Sequence, residues 1–129
     1  MSPADDTVEI GNIINTYEKA VNTGNADLLE SLFWYDDTRF SEVENDRPQP
    51  FGREEFLLIG DWIRNHGKPP RFQHFSNTRI FLLSVETAYS VSMRKEKGEQ
   101  DSRLSRVTMI YLKYDSTWKI IHGHFSLVP

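Results

Sequence analysis

Two histidines stand two residues apart near the end of the chain, His122 and His124, and Ser126 continues the spacing. On a strand, residues two apart point to the same side. Such a row suits a general acid/base pair, two ligands of a metal ion, or a structural row hydrogen-bonded in a sheet or at an interface. A two-histidine metal site needs a third ligand, and none is adjacent, so no metal is expected. A second concentration of reactive side chains runs from Trp34 to Glu44. It holds the carboxylates Asp36, Asp37, Glu42 and Glu44, the guanidinium of Arg39, and the rings of Trp34, Tyr35 and Phe40. If this stretch is extended, Phe40 and Glu42 share a face, and a ring turning inward carries the carboxylate with it. The alternative is a solvated acidic loop. Tyr17 falls on an apolar stripe, where its hydroxyl needs a partner if buried.

Other chemistries are excluded by what the sequence lacks. The 129 residues include no cysteine, which removes disulfides, thiol nucleophiles and cysteine metal sites. No Gly-x-Ser-x-Gly elbow, phosphate-binding loop or dinucleotide glycine fingerprint occurs, and Gly98 and Gly123 are isolated. Nucleotide-dependent catalysis is therefore not expected, and no cofactor is implied. The net charge of −4 gives no footprint for nucleic acid. The densest basic cluster, Arg94-Lys95-Glu96-Lys97, is short and contains an acid. No apolar run approaches the roughly 20 residues of a membrane helix. The start, Met1 to Asp6, has neither a cationic nor an apolar stretch, so no secretory signal and a cytoplasmic location are expected.

The elements that must position these groups follow from periodicity. Ile10, Ile13, Ile14, Tyr17 and Val21 fall on one face of a helix that Asp6 would cap and Gly24 would stop. That leaves residues 1–5 as a loose tail. Asn25 can cap a shorter helix over 26–33. A short strand is expected within 38–43, and turn residues fill 45–50. A third helix is expected over 53–65, with Phe56, Ile59 and Ile63 on its stripe and Trp62 flanking it. Strands are expected near 71–83, 86–96, 103–114 and 117–128. Three helices before long antiparallel strands give one α+β domain over residues 1–129. The last two strands carry apolar residues on both faces, so both should be covered. Three helices can cover only one face, and the other is a candidate subunit interface, giving a homodimer or higher oligomer.

The closing segment Trp118-Lys119-Ile120-Ile121-His122-Gly123-His124-Phe125-Ser126 resembles the end of the association (hub) domain of calcium/calmodulin-dependent protein kinase II, Trp-x-Ile-Val-His-x-His-x-Ser. It is also similar to the final strand of SnoaL-like proteins. Both belong to the nuclear transport factor 2-like superfamily, alongside ketosteroid isomerase. Ala20 to Asp27 resembles that superfamily's exit from its first helix, with Asn25 where its pattern has Asp. The order of elements agrees over nearly the whole chain. The resemblance implies a cone-shaped fold, with three N-terminal helices packed on a strongly curved antiparallel sheet.

Within that cone the resemblance implies further roles. The first helix lines the cone, which brings Tyr17 to it, and the segment holding Arg39 and Glu42 runs near its mouth. A carboxylate in such a cone can have a raised pKa, as in ketosteroid isomerase. Trp62, Phe72 and Phe75 would supply apolar wall. Arg94 matches the strand position of a hub pocket arginine and would anchor a carboxylated ligand. Phe125 stands where the hub has a second pocket arginine, so that basic pocket is not fully reproduced. The implied function is a small-molecule pocket protein, with any catalysis running through acid/base steps without a cofactor: isomerisation, cyclisation or dehydration. Glu42, His124 and Tyr17 would be the acid/base groups, and Arg94, Trp62, Arg39, His122, Ser126, Phe72 and Phe125 would bind the ligand. The alternative is a non-catalytic oligomerisation module.

Overall fold

A computed structural model describes residues 2–129. Helix α1 spans Pro3–Thr23, α2 Ala26–Ser31 and α3 Arg53–His66; the strands are β1 Ser41–Val43, β2 Phe72–Leu82, β3 Thr87–Lys97, β4 Ser102–Tyr114 and β5 Thr117–Leu127. They form one five-stranded sheet in the order β1-β5-β4-β3-β2. The long strands pair antiparallel, and β1 joins the edge of β5 in parallel.

Helix α1 begins earlier than its apolar stripe requires. Ser2 is the cap: its hydroxyl accepts from the Asp5 backbone N–H, and Asp5 accepts in return from the Ser2 backbone N–H. Reciprocal bonds of this kind satisfy donors that a helix start leaves unpaired. The expected loose tail is therefore helical from Pro3, and Asp6 is not the cap. Asp6 is instead buried and accepts from Trp118 Nε1 at 2.9 Å and Lys113 Nζ at 3.1 Å. It ties the first turn of α1 to the β4–β5 hairpin, and the Trp118 bond holds its carboxyl below the usual range. At the other end Gly24 adopts φ 68°, and its N–H reaches the Ala20 and Val21 carbonyls. Asn25 caps α2 by accepting from the Leu28 N–H at 3.0 Å.

Two irregularities shape the sheet. Between Ser76 and Arg79 the β2–β3 register shifts, with Asn77 at φ 53°. Between β4 and β5, Ile110 pairs with His122 but Tyr111 pairs with Ile120, which leaves Ile121 as an extra residue on β5. Such bulges bend a strand and increase its twist. The concave face receives α1, and the core gathers there from Ile10, Ile14, Tyr17, Phe33, Met109 and Phe125. Burying each such side chain stabilises the fold by about 1.5–3 kcal/mol. The convex face carries no helix. Tyr89, Val91, Met93, Thr108 and Ile110 lie on it, half-buried by their neighbours alone. No helix among the described residues is long and apolar enough to cross a membrane.

Candidate functional site

Strand β1 is only three residues long, yet it mounts the most unusual side chain. The Glu42 backbone pairs with Gly123 of β5 on one side. On the other it exchanges two 2.9 Å hydrogen bonds with Phe51. Alternation then turns Ser41 and Val43 outward and Glu42 inward. Phe40 shares that inward direction and packs on Phe33 and Phe56 at centroid distances of 5.9 and 5.2 Å. Glu42 is 3% exposed, and among the described residues its side chain has no hydrogen-bonding partner. Gly123 leaves room beside it: a Cβ there would come within 3.7 Å of the Glu42 carboxyl and 3.2 Å of the Phe125 ring.

Around Glu42 stands a buried charged cluster. Arg94 enters from β3, 3% exposed, with its guanidinium 4.2 Å from the centre of the Phe125 ring. It pairs with Glu44 and with Glu96, each at 3.2 Å. Arg103 reaches the other oxygen of Glu96 at 3.4 Å. Tyr17 arrives from α1 and packs on Phe75 and Phe125 at 5.4 and 6.4 Å. A cavity of about 100 Å³ opens among Tyr17, Phe33, Glu42, Glu44, Gln73 and Arg94. Burial pushes the Glu42 carboxyl well above its ordinary pKa, and Glu44 adds repulsion that Arg94 only partly offsets. Burial raises Glu44 as well. Tyr17 is likewise held well up by burial, so its hydroxyl keeps its proton and can donate it in a hydrogen bond.

The structure thus brings together Glu42, Tyr17, Arg94 and Phe125. It separates the remaining residues that the sequence suggested. His122, His124 and Ser126 lie on the convex face, where His122 Nδ1 meets the Ser41 hydroxyl at 2.9 Å. The bulge at Ile121 causes this: Trp118 and Ile120 point into the cone, and one extra residue puts Gly123 and Phe125 inward next, not the histidines. Trp62 is 44% exposed and stacks on His66, because it lies off the Phe56–Ile63 stripe of α3. Phe72 is 60% exposed; an odd separation from Phe75 sends the two rings to opposite sides of β2. Arg39 sits in a turn, bound to Asp37 at 2.9 Å and to the Tyr114 hydroxyl, outside the cone. Glu44 was read from the sequence only as one carboxylate of the 34–44 segment, and Glu96 and Gln73 were not singled out. The alternation of β3 and β2 carried the signal for the last two: Glu96 is two residues from Arg94, and Gln73 is two from Phe75.

Solved structures share this architecture. An NTF-2 like protein of unknown function from Shewanella oneidensis MR-1 superposes with a TM-score of 0.78 at 22% identity, covering 94% of this chain and 98% of that one. A candidate dehydratase of the NTF2-like family from Streptomyces avermitilis gives 0.79 at 19% identity, with 99% of each chain covered. The association domain of C. elegans CaMKII gives 0.72 at 15% identity, covering 95% and 96%. No curated protein matches the chain. At these identities the likeness establishes the fold, an NTF2-like curved sheet with helices packed on it. The family model of the SnoaL-like domain matches residues 10–129, nearly the whole chain, and the protein belongs to the SnoaL-like family.

Proposed function

We propose that the protein binds a small molecule in its cone and moves a proton on it, with Glu42 as the base and no cofactor. The observation that carries this reading is a carboxylate buried to 3% exposure, without a partner among the described residues, at the wall of a cavity. Burial, with Glu44 adding repulsion, raises the carboxyl's pKa toward working pH, where a base transfers protons best. The reaction class is enolisation beside a carbonyl, as isomerases and dehydratases use it. Glu42 takes the proton of the C–H bond, the electron pair moves onto the carbonyl oxygen, and the Tyr17 hydroxyl donates a hydrogen bond to the oxyanion. Arg94 has a positioning role: its pairs with Glu44 and Glu96 and its contact with Phe125 fix the wall opposite. The sequence suggested Arg94 as anchor for a carboxylated ligand. Two carboxylates already hold it, which weighs against a third. The likeness to a candidate dehydratase of the same fold supports the chemistry.

The test is exchange of carbon-bound hydrogen for deuterium. Small carbonyl compounds, amine-bearing ones included, are incubated with the protein in D2O and followed by NMR. Wild type should accelerate exchange in at least one, and Glu42→Gln should lose about 10²- to 10⁴-fold of that rate. Equal rates in the two proteins, or none in either, would end the assignment.

A second reading has its own observation. The convex face is half-buried and partly apolar, with no helix on it, and an association domain shares the fold. On this reading the chain is a non-catalytic oligomerisation module. Assembly through that face is compatible with chemistry in the cone, since the two use opposite sides of the sheet.

A further inference from the structure

We propose that the cone takes a small organic ammonium ion, a primary or secondary amine in its charged form, seated against Glu42. This rests on reading the cone as a ligand site and names the class of ligand; it does not depend on any reaction. Charge complementarity points there first. Glu44 and Glu96 are matched by Arg94 and Arg103, in contacts of 3.2 to 3.4 Å. Glu42 has no such match, and Arg94 is already committed. The buried cluster is therefore one positive charge short, and the shortfall lies at the cavity wall.

Hydrogen-bond complementarity is the second, independent observation. Gln73 lines the same cavity and is 8% exposed, and its Oε1 is buried without a donor. Orphaned buried acceptors are uncommon in folded proteins and point to a missing partner. With Glu42, this gives the cavity two acceptors waiting for donors. An ammonium carries two or three N–H donors and the missing charge in one group. The rings of Tyr17, Phe33 and Phe56 line the same space and favour a cation over their faces. Arg94 Nε is also without a hydrogen-bond partner, but a carboxylate drawn to it would be a further anion beside Glu42, Glu44 and Glu96. The volume, about 100 Å³, limits the ligand to a few heavy atoms.

Burial favours the protonated form of Glu42 until the ammonium supplies the positive charge. Arg47, over the Phe51 ring at 5.5 Å, also lowers the Glu42 pKa, ranking after burial, Glu44 and Arg94. Binding should accordingly release up to one proton.

The test is calorimetry on the whole protein with short alkylammonium ions, their isosteric alcohols and the matching carboxylates. The ammonium is expected to bind at neutral pH, with a heat that varies with the ionisation enthalpy of the buffer. Alcohol and carboxylate should bind at least about tenfold more weakly. Glu42→Gln should weaken the ammonium by about tenfold or more and abolish the buffer dependence. Gln73→Met, which keeps the bulk and removes the acceptor, should weaken it without affecting proton release. If alcohol or carboxylate binds as well as the ammonium, the charge inference fails while the cone remains a ligand site. If no member of the three classes binds, both fail, and deuterium exchange then reports on the base independently.

Discussion

Glu42 has a consequence for stability that is separable from any ligand. A carboxyl whose pKa is raised by folding holds its proton more tightly in the native state than in the unfolded chain. Stability is then fully present below the unfolded value, near 4.5, and falls as pH rises toward the native one. Glu44 contributes in the same direction. Glu42→Gln removes the ionisable group and keeps its shape. The variant should melt above wild type at pH 8, by about 1 kcal/mol or more, and close to it at pH 5. Thermal unfolding at the two pH values checks this; a difference that does not grow with pH would mean that Glu42 is solvated or paired. The residue was partly legible in the sequence. Phe40 had to turn inward, and alternation carried Glu42 with it. Its lack of a cation was not legible, since Arg94 is taken by Glu44, fifty residues away, as well as by Glu96 on its own strand.

Among the elements, the ones with strong periodicity were read almost to the residue. The strands expected near 86–96 and 117–128 are Thr87–Lys97 and Thr117–Leu127. The failures came from single residues that break a period or extend it. Ser2 added a turn to α1 that no apolar residue announced, and Ile121 inverted β5. Phe72 and Trp62 were assigned to the wall as large rings, but their register puts them outside. The contact between α2 and α3 gives a further case in which local preference misleads. Gly60 is buried in α3, and a Cβ built there would lie 1.9 Å from Glu30 Oε2. Glu30 is held by Arg64, which also binds Asp27 and Asp61. In an exposed helix, Gly→Ala stabilises by about 1 kcal/mol. Here Gly60→Ala should destabilise by about 1 kcal/mol or more, because the methyl displaces a buried carboxylate from its partner. Urea unfolding of the variant decides between the two signs.

The whole molecule presents two unlike surfaces on one sheet, a charged cavity within and a broad, uncovered face without. A stable interface takes roughly 800 Å² from each partner, and we place it on that outer face. Light scattering should give a mass above 15.1 kDa. Val91, at the middle of the face opposite Thr108, is the place to break it. Val91→Glu should return the chain to 15.1 kDa with its circular dichroism unchanged, since a desolvated, unpaired carboxylate costs an interface several kcal/mol. A wild type that stays at the monomer mass would remove the interface. The two surfaces are allotted by the single extra residue at Ile121. The same residues paired without that bulge would turn His122 and His124 into the cone and Phe125 out of it, exchanging an aromatic wall for imidazoles while leaving the spelling His-x-His-x-Ser untouched. Homologues that share those letters can therefore differ in which side of the sheet they arm, and an alignment of the motif has to be read together with the pairing of the strand that carries it.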